Sequence, residues 1–259
     1  MGLAGEGKDD SAEARPEEIT CIVLLHRIVI ALVMLGIASY LDVKSREVPD
    51  RFWIPFFAIG AILTSYDFYL STSGYDILQL AVAIGLTSGL SWAVYFLHLY
   101  GGADAKALTT LSILFPIYSS AATFHGFGAL TAFTNAILLS ALLPIFFLLL
   151  NAFKIAKGEK IFQDFDDGKA SKIKAAILGT RRKHAGRFDY SLEKTVDGKR
   201  RFNISLGKID EDFATGSDIW VSPGIPLLVF VLLGFIATIL FGDLLFTMLS
   251  SIFSMIYRT

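Results

Sequence analysis

Tyr100-Gly101-Gly102-Ala103-Asp104-Ala105-Lys106-Ala107-Leu108 decides how the chain is read, because two glycines and an acid stand where one apolar run stops and another begins. An ionisable group at membrane depth costs about 3 kcal/mol on insertion scales, so a carboxylate there is read first as functional. A matching carboxylate lies upstream. In Ser39-Tyr40-Leu41-Asp42-Val43-Lys44-Ser45-Arg46-Glu47-Val48-Pro49-Asp50, Asp42 ends another long apolar segment. Two acids at two helix ends point to one site.

The composition around these stretches is built for lipid. The chain is 54% hydrophobic and only 18% charged, with 22 Phe, far from an ordinary soluble domain. The expected fold is therefore an all-α polytopic membrane protein. Six transmembrane helices can be drawn, each near the roughly 20 residues that cross a bilayer core. They run from 21 or 28 to 41, 52–70, 77–100, 105–125, 130–153 and from about 223 onward. Pro144 is expected to kink the fifth. The last apolar run reaches Tyr257, too long for one straight span, and Gly242-Asp243 is its expected break. Arg27 lies inside the first span only if that span starts at Cys21, and otherwise snorkels outward. Trp220 suits a membrane-interface belt.

Residues 1–20 read as a polar tail, rich in Glu6, Asp9, Asp10, Glu13, Glu17 and Glu18, without the basic start of a cleaved signal peptide. Residues 21–153 hold helices one to five and both acids, and 220–259 the sixth helix with a C-terminal extension. Between them, 154–219 is charged and poor in apolar runs, which predicts a small α+β cytoplasmic subdomain. Phe188, Tyr190 and Leu192 alternate before Val196-Asp197-Gly198, and Phe202, Ile204 and Leu206 after it, the pattern of a β-hairpin turning on Asp-Gly. Lys169 to Leu178 reads as a basic amphipathic helix.

Orientation follows from the basic residues. Lys44, Arg46, Arg51, Lys106 and the Lys/Arg-rich 154–220 segment fall in alternate connections, whereas 71–76 and 124–128 carry neither Lys nor Arg. The positive-inside rule then places Asp42 and Asp104 at the cytoplasmic leaflet. One cysteine, Cys21, excludes an intrachain disulfide and a four-cysteine zinc site. His26, His98, His125 and His184 are scattered, so no metal and no cofactor is expected.

Two carboxyl groups can drive water onto a peptide bond without a metal. One removes a proton from the water and the other hydrogen-bonds the carbonyl oxygen; like charges held close cannot both ionise cheaply, so the pair shares a proton. Gly101 and Gly102 would let a substrate backbone come close and permit turns that a Cβ blocks. Blander readings stand beside this. Asp42 alone could simply end a helix among Lys44 and Arg46, and Asp104 could be the N-cap of span four. Glu47 and Asp50 compete from the same loop, Asp50 more simply as a cap. Asp67, Asp76 and Asp243 read as interfacial, and Arg181-Arg182-Lys183-His184 as a solvated or headgroup-facing patch. No aromatic or motif pattern supports nucleic-acid binding. A proton- or cation-coupled transporter using the same acids is the alternative from another class; it would be favoured by midplane acids and repeat symmetry.

Asp42 with Lys44, Arg46, Val48 and Pro49, followed by Gly101-Gly102-Ala103-Asp104-Ala105-Lys106 at the start of a later span, resembles the type IV prepilin peptidase and archaeal preflagellin (archaellin) peptidase family of membrane aspartic peptidases. Ala103 stands where the usual Gly-x-Gly-Asp signature has its second glycine. The chain lacks the four-cysteine insert of many bacterial members, which favours the archaeal, peptidase-only branch. The resemblance implies Asp42 and Asp104 as catalytic residues, with Gly101 and Gly102 in substrate binding. It also implies archaellin or prepilin-like precursors as substrates, membrane lipids as surroundings, and leader removal at the cytoplasmic side of an archaeal cell membrane. A presenilin-like protease shares a Gly-x-Gly-Asp acid but needs a Pro-Ala-Leu string that is absent here.

Overall fold

A computed structural model of the chain describes residues 10–70, 76–118, 123–196, 198–204 and 213–257. They fall into two units, one of residues up to 137 together with those from 226 on, the other of residues 138–225.

The first unit is helical. It holds α1 (Asp10–Ser45), α2 (Asp50–Leu70), α3 (Ile77–Phe96), α4 (Gly102–Leu114), most of α5 (Gly128–Ser140) and, after the second unit, two further helices at Leu227–Phe241 and Leu244–Ile256. The expected polar tail is only partly described: 1–9 lie outside the described residues, and 10–20 are the first turns of α1.

The short helix α4 is central. Ala105, Ala107, Leu108, Leu111 and Leu114 are buried on it, and its neighbours are α1, α2, α3 and the Leu227–Phe241 helix. An apolar environment gives apolar side chains little reason to associate, so small residues and hydrogen bonds do that work. Thr64 donates to the Ile113 carbonyl at 2.7 Å, Ser88 and Ser112 share a 3.0 Å bond, and Trp92 Nε1 donates to Thr109 at 3.2 Å.

Among the described residues four helices are long and apolar enough to cross a membrane: Cys21–Ser45, Asp50–Tyr69, Ile77–Phe96 and Gly128–Ala156. A fifth is added if the pair Leu227–Phe241 and Leu244–Ile256, bent by 56°, counts as one span. Large apolar side chains such as Ile54, Ile62, Leu78 and Leu149 are exposed on these helices, the arrangement of a lipid-facing surface.

The expected fourth span, 105–125, is not one continuous helix. It stops at Leu114 because Pro116 bars the residue before it from helical geometry, and Phe115 accordingly has φ −138 and ψ 59. At about 1.5 Å per residue, 13 residues reach only about 20 Å. At the expected kink the helix is interrupted at one residue, Ala141, between α5 and the next helix, yet Gly128–Ala156 still counts as one 29-residue span. Proline lacks the N–H that the Ser140 carbonyl would accept, so the break falls about one turn before the ring. The expected break at Gly242-Asp243 is present: Gly242 has φ 73, a region open to glycine, and Asp243 caps the following helix by accepting from the Phe246 N–H at 2.9 Å. Arg27 does not snorkel; it is 4% exposed and bonded to α2 and α4. Asp67, read as interfacial, is its partner at 2.7 Å.

A Cβ on Gly234 would stand 2.4 Å from the Ala132 carbonyl oxygen and 2.6 Å from the Ala136 nitrogen, both backbone atoms of α5. Gly234→Ala must therefore push two helices apart, and an overpacking loss of about 1–3 kcal/mol is expected. Gly85→Ala and Gly89→Ala meet nothing within 4 Å. They are expected to be neutral or stabilising by about 0.5–1 kcal/mol through helix propensity. Thermal unfolding in micelles measures both; equal melting temperatures for all three would contradict the close crossing.

The second unit holds α6 (Leu142–Ala156), α7 (Lys169–Leu178), β1 (Thr180–His184), β2 (Asp189–Ser191), β3 (Glu193–Val196), β4 (Lys199–Phe202) and β5 (Ser217–Pro223). Strand β5 lies between β1 and β2, antiparallel to both, and β3 pairs with β4. The basic helix spans the expected residues. The hairpin exists but is shorter than expected: β2 leaves it to pair with β5, Asp197 and Leu206 lie outside the described residues, and Gly198 takes φ 76 in the turn.

Trp220 is not in an interface belt. It is fully buried on β5, stacked 5.4 Å from Phe162, with Nε1 donating to the Ile161 carbonyl at 3.0 Å. The boundary drawn at 219/220 therefore cuts a strand, and the helix expected from about 223 begins at Leu227, now α8 (Leu227–Phe241), followed by α9 (Leu244–Ile256). The basic cluster is also partly structural. Arg181 pairs with Asp218 at 2.5 Å and Arg182 with Asp189 at 2.9 Å, and the Arg181 bond holds the Asp218 carboxyl below its ordinary range.

Candidate active site

Asp42 stands in the last turn of α1. The chain leaves that helix through Arg46, which adopts φ 61 and donates its N–H to the Asp42 carbonyl at 3.0 Å. A left-handed conformation costs a residue with a Cβ about 1–2 kcal/mol. Here it turns the chain so that the guanidinium returns to 3.8 Å from Asp42 Oδ1. Ser39 donates to the Leu228 carbonyl at 3.0 Å, and the Leu228 N–H approaches the Asp42 carboxyl. Leu228 belongs to the first turn of α8, so Asp42 faces the positive end of a helix.

Asp104 is the third residue of α4, where a carboxylate can reach back to the cap. Its Oδ2 accepts from the Gly101 N–H at 3.0 Å, one half of a capping box; Gly101 has no side chain to supply the other half. Asp104 is 9% exposed. Asp42 and Arg46 both act on it through space, and α1 packs directly on α4. The two acids thus face one locale from a helix end and a helix start. Asp104 is not itself the N-cap, which is Gly101; it satisfies the cap from the third helical position, and the same hydrogen bond aims its carboxyl.

The glycines differ from expectation in one respect. Gly101 has φ −80 and ψ 160, ordinary extended backbone open to any residue, so the turn does not require it. Their contribution is open space. A Cβ on Gly101 would stand 3.4 Å from Asp104 Oδ2, and one on Gly102 would stand 3.4 Å from the Tyr95 ring. Tyr100 closes one side, its hydroxyl bonded to Ser91 Oγ at 2.6 Å and also to the Ser91 carbonyl, its ring edge-on to Phe133.

The competitors from the α1–α2 connection are accounted for. Asp50 opens α2 and is held 2.6 Å from Lys106 Nζ, while Glu47 is exposed. Among the described residues no three His, Cys, Asp or Glu side chains gather as metal ligands. Sequence reasoning did not assign a place in the site to Arg46, Ser39, Leu228 or Tyr100. Arg46 was detectable as a cation four residues beyond Asp42, although it reaches back through the turn that ends α1 and not along a helix face. The Leu228 contact spans nearly the whole chain and had no local signal.

The type IV leader peptidase family matches residues 29–153, and the archaeal peptidase A24 C-terminus, type II, matches 137–244. The chain is 27% identical over 232 residues to a preflagellin peptidase of Methanococcus voltae, covering 83% of this chain and 94% of the relative. It is 24% identical over 242 residues to a preflagellin peptidase of Methanocaldococcus jannaschii, covering 88% and 98%. A prepilin peptidase, EppA, of Methanothermobacter thermautotrophicus is 26% identical over 148 residues, covering 53% of this chain and 37% of that protein. Both acids and both glycines fall inside the first matched segment, the two segments run on from one another through the helices and sheet, and the chain belongs to the type IV leader peptidase family.

Proposed function

We propose that this peptidase removes the short basic leader of preflagellin, archaellin and prepilin-like precursors at the cytoplasmic face of an archaeal cell membrane, with Asp42 and Asp104 as its acid and base. The observation that carries the reading is their placement in one unit, Asp42 at the end of α1 and Asp104 at the start of α4, with the charge of Asp42 felt at Asp104. One ionised carboxyl takes a proton from water as the oxygen attacks the scissile carbonyl. The other, protonated, donates a hydrogen bond to the carbonyl oxygen as charge develops there. Collapse of the tetrahedral intermediate breaks the C–N bond, and the leaving nitrogen receives a proton from the pair. The Gly101 N–H fixes one Asp104 oxygen and so the direction of the carboxyl. Gly101 and Gly102 leave room for an extended substrate backbone.

In this reading α4 stands in the fourth of six crossings. Lys44, Arg46, Arg51 and Lys106 lie on the cytoplasmic side by the positive-inside rule. An acid pair at that leaflet reaches the bond between a charged leader and a membrane-borne helix.

The purified chain in detergent is expected to cut a preflagellin between its leader and its hydrophobic helix, with mass spectrometry of the new N-terminus as the readout. EDTA is expected to leave the rate unchanged, since the two carboxyls supply both proton transfers. Absence of cleavage across preflagellin and prepilin precursors would reject the assignment. The side is tested by Glu47→Cys in a Cys21→Ser background. Labelling by an impermeant maleimide in inverted vesicles is expected; labelling in intact cells would place the acids outside.

A further inference from the structure

The second unit contains a groove that leader cleavage does not use. Leu148, Asn151, Ala152 and Ile155 recur along α6 at the spacing of one helix face, and Lys169, Lys172, Ile173 and Ala176 recur in the same way along α7. The two stripes line, with Phe162, a groove of about 310 Å³. Asn151 sets the helix separation: its Nδ2 donates to the Ala176 carbonyl at 2.9 Å and the Gly179 carbonyl at 2.7 Å, while its Oδ1 accepts from Thr180. Small side chains at Ala152 and Ala176 leave the space open.

The walls are hydrocarbon and the two charged lining groups are both cations. Neither lysine has an ion-pair partner among the described residues. Asp166, close enough to Lys172 to feel its charge, is bonded to Lys199 at 2.8 Å. Lys169 opens α7, whose N-cap Gly168 offers no side chain to the first N–H groups, so the helix adds its own positive end there. Helix α6 ends a segment long and apolar enough to cross a membrane, Gly128–Ala156, and Leu149 and Phe153 are exposed on it. Lys157 lies over the Phe153 ring at 4.4 Å, a cation at the end of an apolar helix. The groove therefore has an apolar body continuous with a membrane-facing helix, and two free cations. Its volume is at the lower end for small-molecule sites, enough for part of one hydrocarbon chain.

We infer that the α6–α7 groove binds one anionic membrane lipid, hydrocarbon chain between the helices and phosphate on Lys169 and Lys172. The inference rests on Gly128–Ala156 being a membrane span and is independent of the acid pair.

The test is native mass spectrometry of the full chain released from vesicles of phosphatidylglycerol or phosphatidylcholine, scored for bound lipid over a lipid titration. Wild type is expected to retain one phosphatidylglycerol and to lose it to phosphatidylcholine only at large excess. At roughly 1 kcal/mol per lysine near a membrane surface, Lys169→Ala/Lys172→Ala is expected to weaken retention about 30-fold. Ala152→Phe, which fills the groove and removes no charge, is expected to weaken it as well. Lys183→Ala/Lys194→Ala, an equal loss of charge on exposed strand residues, is expected to leave it unchanged. Equal retention by the groove lysine variant overturns the site. So does an equal loss in the strand control, which would mean diffuse charge attraction, or full retention by Ala152→Phe, which would mean a headgroup contact without the groove. A dimer that Ala152→Phe dissolves would assign the groove to a second copy and overturn it too. Circular dichroism and unchanged leader cleavage in detergent verify that each variant is folded.

Discussion

Asp104→Asn is expected to lower precursor cleavage by about 10³-fold or more, and Asp42→Asn by a similar factor, with the fold of both variants intact. General acid–base catalysis contributes typically 10²- to 10⁴-fold, and here each acid carries a role that the other cannot fill alone. Asparagine keeps the shape of aspartate, so its carbonyl can still accept the 3.0 Å bond from the Gly101 N–H that starts α4. What it lacks is the ability to take or give a proton. The double variant is expected to be no slower than either single one, because groups acting as a unit are strongly non-additive. The pH–rate profile of the parent is expected to be bell-shaped, one limb requiring a carboxylate and the other a carboxylic acid; its two apparent values belong to the pair. Asp50→Asn is the discriminating control. It removes the 2.6 Å contact with Lys106, but Asp50 is 80% exposed, and an exposed ion pair is worth about 0–1 kcal/mol. Its cleavage rate is expected to stay within a few-fold of the parent. Substantial cutting by Asp42→Asn, or a collapse with Asp50→Asn, would move the acid pair to Asp50 and Asp104.

What the sequence disclosed about this site follows from how local each signal is. The end of α1 at Asp42 and the start of α4 at Asp104 were readable because a loss of apolar pattern, a glycine pair and an acid three residues past the cap are all contained within a few positions. The same holds for α7 and for the break at Gly242-Asp243. The end of α4 was equally local but was overlooked: Pro116 forces Phe115 out of helical geometry, whatever the hydropathy of the residues that follow. Strand β5 was missed for another reason. Its residues alternate weakly, and Trp220 beside an apolar run imitates an interface anchor until β1 and β2 are seen pairing with it on both sides. The partners of Arg27 and the Leu228 contact of Asp42 lie tens of positions or more away, and no periodicity encodes such contacts.

Arg27→Leu is expected to destabilise the helical unit by about 3–5 kcal/mol and to slow cleavage, although Arg27 touches neither acid. The guanidinium reaches the C-terminal end of α4 through a 2.6 Å bond to the Leu114 carbonyl and a 3.1 Å bond to Thr64, whose hydroxyl donates to the Ile113 carbonyl. Because Pro116 ends the helix there, these carbonyls have no further turn to accept from, and the cation also meets the negative end of the helix. The third bond, 2.7 Å to Asp67, brings in α2 and balances the charge. Removing Arg27 alone leaves a part-buried carboxylate unpaired and the Leu114 carbonyl without its donor, the situation in which breaking a buried pair is most costly. Arg27→Leu/Asp67→Leu is expected to regain a large part of the lost stability, since the orphaned charge goes as well, but to regain less activity. The Leu114 carbonyl at the C-terminal end of α4 stays without the Arg27 bond, and Asp104 rides on the same 13-residue helix. Arg27→Lys keeps the charge without the planar fork, and an intermediate result is expected. Thermal unfolding in micelles alongside precursor cleavage separates the two effects. If Arg27→Leu melts and cuts like the parent, the far end of α4 does not govern where Asp104 points; if the double variant regains activity as fully as stability, charge balance alone explains Arg27.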